Sequence, residues 1–197
     1  NKETFGYEFV ETIPNGVESE EERDFVGSSE NLEKLRGLAK DNFILLWMGG
    51  YNTWVDEITL FEGVIGAMRG CENLYYVSTG GAIEGLDNKT FAKFKEMVEA
   101  SKFKDRFVFL GWVESGLIPL VYKYGDVGLN VDRMCVETLT GARNRINEML
   151  KFGLPVVTTF GSEISDSAVG FGAAIGVESG NAADLSEKIA ELYRDWK

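Results

Sequence analysis

The sequence contains no histidine. That absence removes Ser-His-Asp triads, His-ligated zinc and imidazole acid–base chemistry from this chain. Cysteine is almost as scarce. Cys71 and Cys135 stand far apart, form no CxxC pair and supply no disulfide framework, so a reducing cytoplasm is the expected setting. No apolar run reaches the length of a membrane span, and no signal peptide is visible. Basic residues are outnumbered, 20 against 32 acidic, for a net charge of -12. Such a balance repels polyphosphate backbones and argues against nucleic acid as a partner. It still allows one small anion, because backbone N–H groups at a helix N-terminus bind phosphate whatever the net charge. There is no DxD triplet, and the acidic stretch from Glu18 to Asp24 reads as a solvated face. No metal and no other cofactor is therefore expected.

What is present is the material of one globular domain: 197 residues, 44% apolar and 26% charged. The chain opens on Asn1 rather than Met, which predicts a piece of a longer protein. From about residue 43, short β-branched runs alternate with amphipathic stretches. Strands are predicted over 43–48, 74–79, 106–110, 126–131, 156–159 and 173–177. Helices are predicted over 54–68, 90–100, 116–124, 143–152, 163–168 and 182–196, with Thr53 and Asn181 as caps. The alternation implies an α/β, Rossmann-like, doubly wound parallel sheet of about six strands with helices on both faces. Ligands of such sheets bind beyond the carboxyl ends of the strands. The loops at 49–54, 79–83, 111–114, 131–142 and 159–164 thus become the candidate site. Residues 1–30 do not fit the repeat and read as a crossover or linker segment, with a turn at 14–16, ahead of a domain over 31–197.

Four elements carry a family likeness. Ile13-Pro14-Asn15-Gly16-Val17 resembles the "IPNGVD" crossover of family-4 (group 1) glycosyltransferases of the GT-B fold. Phe109-Leu110-Gly111-Trp112-Val113 resembles their "FLGxV". The run from Glu148 to Val157, EMLKFGLPVV, resembles "EAMAxGxPVV", and the segment from Gly176 to Asn181 resembles the element before their final helix. The resemblance implies the C-terminal, donor-binding domain of such an enzyme, with the N-terminal acceptor domain absent. It implies transfer from a nucleoside-diphosphate sugar, retaining and metal-independent. The acceptor, a lipid or a polysaccharide, would meet mostly the absent half, and the full-length protein could attach to a membrane at its periphery. Two departures stand out. Thr140 occupies the place of the family's first glutamate, and the loop Gly49-Gly50-Tyr51-Asn52-Thr53-Trp54 lacks the usual phosphate-binding bases.

Charge builds on the diphosphate as the sugar departs, so the chemistry calls for cations and N–H groups aimed there. Arg143 and Arg145, beside the Thr140-Gly141-Ala142 turn, are the candidates, and the alternative is a solvated face or pairing with Glu137 and Glu148. Glu148 matches the family's ribose-binding carboxylate, against the alternative of an exposed helical glutamate. Arg143 and Glu148 are taken as the catalytic pair. Gly49, Gly50, Asn52, Gly81, Trp112, Val113, Thr140, Gly141 and Arg145 are taken as donor-binding. Glycine after a strand lets backbone approach a ligand closely, and Trp112 could stack on a base or merely anchor its loop. Trp54 is expected to pack inward, and Asp132 and Arg133 to pair with one another. Two rival readings remain: a sugar-nucleotide epimerase fragment, and a binding or interaction module without catalysis. A dinucleotide oxidoreductase is disfavoured, since no G-x-G-x-x-G opens the first helix after strand one.

Overall fold

A computed structural model of the chain describes residue 27 and residues 29–196. The crossover motif at 13–17 and the acidic run at 18–24 lie outside the described residues. The strands are β1 (Phe43–Trp47), β2 (Leu74–Thr79), β3 (Phe107–Gly111), β4 (Val127–Asn130), β5 (Val156–Thr159) and β6 (Ala174–Val177). They form one sheet in the order β3-β2-β1-β4-β5-β6, with every pairing parallel. The chain runs outward from β1 to β3, returns beside β1 as β4, and runs outward the other way. This is the doubly wound arrangement expected, with its switch point between β1 and β4.

The helices are α1 (Glu30–Leu38), α2 (Glu57–Met68), α3 (Lys89–Glu99), α4 (Ile118–Lys123), α5 (Val136–Thr140), α6 (Asn144–Lys151), α7 (Glu163–Gly170) and α8 (Ala182–Trp196). Alternate residues of β1 serve opposite faces of the sheet, as the period of two requires. Phe43, Leu45 and Trp47 join Leu60 and Val64 of α2, Phe94 of α3, and Leu185 and Ile189 of α8. Ile44 and Leu46 join Leu32 and Leu35 of α1, Val121 and Tyr122 of α4, Ile146 and Met149 of α6, and Ala168 of α7. Glycines set how closely these layers approach. A β-carbon on Gly63 of α2 would stand 2.5 Å from Leu185 of α8, and one on Gly128 of β4 would stand 2.4 Å from the Met149 sulfur.

Three local outcomes differ from the sequence expectation. The second helix starts at Glu57 and is capped by Asp56, which accepts from the Thr59 N–H at 3.1 Å and from its hydroxyl at 2.8 Å. Instead Thr53 and Trp54 lie in a turn and Val55 is held in a bridge. Val55 bridges Asp132, the Arg133 N–H donates to the Trp54 carbonyl at 2.8 Å, and the Asp56 N–H donates to Val131 at 3.1 Å. Two helices were not anticipated. In α1 only Leu32 and Leu35 are buried on a charged segment, while α5 is five residues long with only Thr138 buried. Arg106, read as the start of a strand, instead caps the C-terminus of α2 by donating to the carbonyls of Met68, Cys71 and Glu72. Asn181 does cap α8, its side chain accepting from the Asp184 N–H at 3.0 Å.

Ile189 of α8 has no exposed surface and lies in the larger apolar cluster. Ile189→Ala should therefore lower unfolding free energy by about 2–5 kcal/mol, read from the urea midpoint.

Candidate functional site

The carboxyl ends of β1, β2 and β3 close on one another backbone to backbone. Gly49 follows β1 with φ of 94°, Gly80 follows β2 with φ of 71°, and Gly111 ends β3 with φ of 69°. The Gly80 N–H donates to the Gly111 carbonyl at 2.7 Å, and the Tyr51 N–H donates to the Gly81 carbonyl at 3.0 Å. The Gly49 N–H donates to the Thr79 hydroxyl at 3.0 Å. A β-carbon on Gly80 would fall 2.4 Å from the Gly49 backbone, so only glycine lets these loops meet.

Above them opens a cavity of about 280 Å³, lined among others by Gly49, Gly80, Trp112, Val113, Tyr122 and Arg145. Trp112 is 67% exposed at its rim, the opposite of a core anchor. Arg145, in the first turn of α6, reaches across to the β1 loop. Its Nη2 donates to the Gly50 carbonyl at 3.2 Å, and its guanidinium lies 4.2 Å from the Trp47 ring centroid. Its Nη1 is buried and takes no hydrogen bond. No salt bridge to Arg145 occurs among the described residues. Burial lowers its pKa, opposed by the charge of Asp132. Beneath it the Tyr51 hydroxyl bonds those of Tyr76 (2.6 Å) and Ser78 (2.8 Å), and burial pushes both tyrosines well above the usual range. A buried arginine donor without a hydrogen-bond partner, beside an apolar pocket, is an uncommon and costly arrangement.

Arg143 is placed differently. Its side chain is 4% exposed, and its Nε meets Asp132 Oδ2 at 2.5 Å, where Asp132 is 2% exposed. Nη2 donates to the Glu137 carbonyl at 2.9 Å and Nη1 lies 3.5 Å from the Glu137 carboxylate. The structure thus uses Arg143 to tie the end of β4 to α5, in the pairing with Glu137 that was weighed from sequence. The expected Asp132–Arg133 pair does not form, because Arg133 turns to Glu57 and the Val55 carbonyl. Gly141 sits in extended backbone before α6, and a β-carbon there would stand 2.2 Å from a Glu137 oxygen. Thr140 is exposed and donates to the Val136 carbonyl at 2.8 Å. Trp54 is half-buried with the Arg143 guanidinium 5.5 Å from its ring.

Of the remaining candidates, Gly49, Trp112, Val113 and Arg145 come together at the cavity. Gly50 and Gly81 join through their carbonyls. Asn52 is half-buried, its carbonyl accepting from Val55 at 3.0 Å, and it does not line the cavity. Glu148 is half-buried one turn along α6 from Arg145, close enough for its charge to act on Tyr122. Sequence reasoning passed over Met48, Tyr122 and Ser115 as lining residues. Tyr122 lay in a segment read only as a helix, and nothing in its spacing marked one face as the cavity wall.

A doubly wound parallel sheet with a glycine-rimmed pocket at its strand ends is the frame of nucleotide-binding α/β proteins. The sequence model of the Glycosyl transferases group 1 family matches residues 42–195. The chain belongs to that family. No curated protein matches it by sequence. Among solved structures, Anabaena Alr3699/HepE in complex with UDP and glucose aligns with a TM-score of 0.65 at 18% identity, over 86% of this chain and 44% of that one. A glycosyltransferase from Rickettsia africae ESF-5 aligns at 0.66 and 17% identity, over 88% and 44%. The C-terminal domain of the group 1 family protein LpcC from Francisella tularensis aligns at 0.63 and 16% identity, over 85% of both chains. The chain thus spans less than half the length of the first two. These likenesses establish a GT-B-type Rossmann-like fold.

The Asp132–Arg143 pair is buried on both sides. Arg143→Ala should lower stability by about 3–5 kcal/mol by stranding Asp132. Adding Asp132→Asn should recover part of that loss in the same urea titration.

Proposed function

We propose that this chain is the donor-binding half of a glycosyltransferase, holding a nucleoside-diphosphate sugar at the ends of β1, β2 and β3. Arg145 carries this reading, being a guanidinium with a buried, unbonded Nη1 over an apolar pocket. A diphosphate oxygen would complete its hydrogen bonding. Arg145 would also stabilise the charge that builds on the nucleoside diphosphate as the glycosidic bond breaks. Gly49 and Gly50 allow the phosphates to come close to the backbone. Trp112 and Val113 lie where a base could rest, and Glu148 offers its carboxylate to the ribose hydroxyls. Arg143 supports this arrangement by holding the start of α6 rather than by touching donor.

The complex of Alr3699/HepE with UDP and glucose supports a sugar nucleotide as the class of donor. With Arg145 as the positive group at the leaving diphosphate, transfer would need no metal. Retention of configuration follows the family. A domain outside this chain would hold the acceptor, a lipid or a polysaccharide, and closure of the two would exclude water from the reacting bond.

Calorimetric titration with UDP, GDP and ADP, with and without EDTA, tests the reading. At least one nucleotide should bind, and EDTA should leave its affinity unchanged. Absence of binding by all three at millimolar concentration to folded protein would sink the proposal. Arg145→Ala should weaken the diphosphate about 10- to 100-fold, as loss of a charge-assisted hydrogen bond implies, while leaving the parent nucleoside nearly unaffected. Equal losses for both would remove the phosphate role.

A further inference from the structure

Tyr122 belongs to α4 and is one of the cavity-lining residues that the donor reading does not yet use. Its ring is fixed twice. It packs in the apolar cluster under α4 and α6, and it stacks on Phe152, centroids 4.8 Å apart and planes 15° from parallel. The residue is only 5% exposed. Among the described residues its hydroxyl makes no hydrogen bond, yet it is not among the sealed polar atoms, which leaves it open to the cavity. The neighbouring buried tyrosines contrast with it, since Tyr51 and Tyr76 satisfy each other and Ser78. A largely buried hydroxyl without a protein partner calls for another one.

Its surroundings narrow what that partner is. Tyr122 lines the cavity together with Arg145, and the Phe152 ring on which it stacks follows Glu148 by one turn, the Phe152 N–H donating to the Glu148 carbonyl at 3.1 Å; the charges of both Glu148 and Arg145 act on the Tyr122 hydroxyl. Burial and the Glu148 carboxylate hold its pKa well above the usual tyrosine range, so it stays protonated and able to donate. The Glu148 carboxylate can only accept. A sugar hydroxyl fits between such a donor and such an acceptor, taking a hydrogen bond from one and giving a hydrogen bond to the other.

We infer that the Tyr122 hydroxyl, beside Glu148, binds a ribose hydroxyl of the nucleotide and makes the cavity discriminate ribonucleotides from deoxyribonucleotides. The inference rests on the donor-binding reading above. A site built to bond a hydroxyl rejects the analogue lacking it, because its own polar groups are then left unpaired.

The test compares the full chain with Tyr122→Phe by calorimetry against UDP, 2′-deoxy-UDP and 3′-deoxy-UDP, with the corresponding GDP set alongside. The unaltered protein should bind the ribonucleotide more tightly than at least one deoxy analogue. Tyr122→Phe should weaken the ribonucleotide about 5- to 20-fold while leaving that analogue unchanged within about 2-fold, as loss of one hydrogen bond implies. Its melting temperature should stay that of the parent, since the hydroxyl bonds nothing among the described residues. An equal loss on ribo and deoxy ligands, no loss on either, or a fall in melting temperature would each overturn the inference while leaving the donor reading intact. Failure of the unaltered protein to bind any of the nucleotides would overturn both.

Discussion

The contact between Gly49 and Gly80 is the constraint on which the candidate site depends. With 2.4 Å between a hypothetical Gly80 β-carbon and the Gly49 backbone, the β1 and β2 exits can touch only where side chains are missing. That approach brings Gly81 within reach of the Tyr51 N–H and Gly80 within reach of Gly111, so three strand ends share one hydrogen-bonded floor. The floor then leaves room for the Arg145 guanidinium between the Gly50 carbonyl and the Trp47 ring. A bulkier residue at Gly80 would push the loops apart and remove the support under that arginine, whereas at Gly49 it is the backbone φ of 94° that favours glycine.

Charge is distributed to the same end. The protein is strongly acidic overall, yet the cavity presents a cation. Arg133 and Arg143, the other arginines in the 131–145 region, are taken up by Glu57 and Asp132. These pairs anchor the 131–143 segment at the end of β4, and from that anchor α6 sets out. Arg145 alone of these three finds no carboxylate among the described residues. Among the described residues of this acidic molecule, the cavity thus holds an arginine without a carboxylate partner, while the net negative charge works against an extended polyanion.

Much of the architecture could be read along the chain, because parallel strands buried on both faces appear as short continuous apolar runs. The six strands and α8 fall where those runs and the Asn181 cap predicted. The helix after β1 was misplaced for an identifiable reason. Trp54, Ile58, Phe61 and Ile65 keep helical spacing across a turn at Thr53-Trp54 and a bridge from Val55 to Asp132. The contact making that bridge comes from 77 positions away in sequence (132 minus 55), beyond the reach of any local pattern. Short α5 was invisible because its exposed Val136 and Leu139 contradict the rule that apolar positions mark the buried face.

The site divides along the same line. Sequence by itself determined the sheet class, the glycine-ended strands, the family likeness, and the two arginines and one glutamate worth considering near the diphosphate and ribose. It could not assign the two arginines their separate tasks. Arg143 and Arg145 are two residues apart on the chain and chemically identical, and local spacing treats them alike. Tertiary structure decided between them. Asp132, delivered by β4, captures the first, while the β1 loop, held in place by Gly80, receives the second and leaves its Nη1 without a partner. Tyr122 likewise became a cavity wall only when α4 and α6 packed on one face of the sheet and placed its hydroxyl near Arg145 and Glu148. Spacing along a chain fixes which residues share a face, but which of them meets a partner depends on segments that only folding brings together.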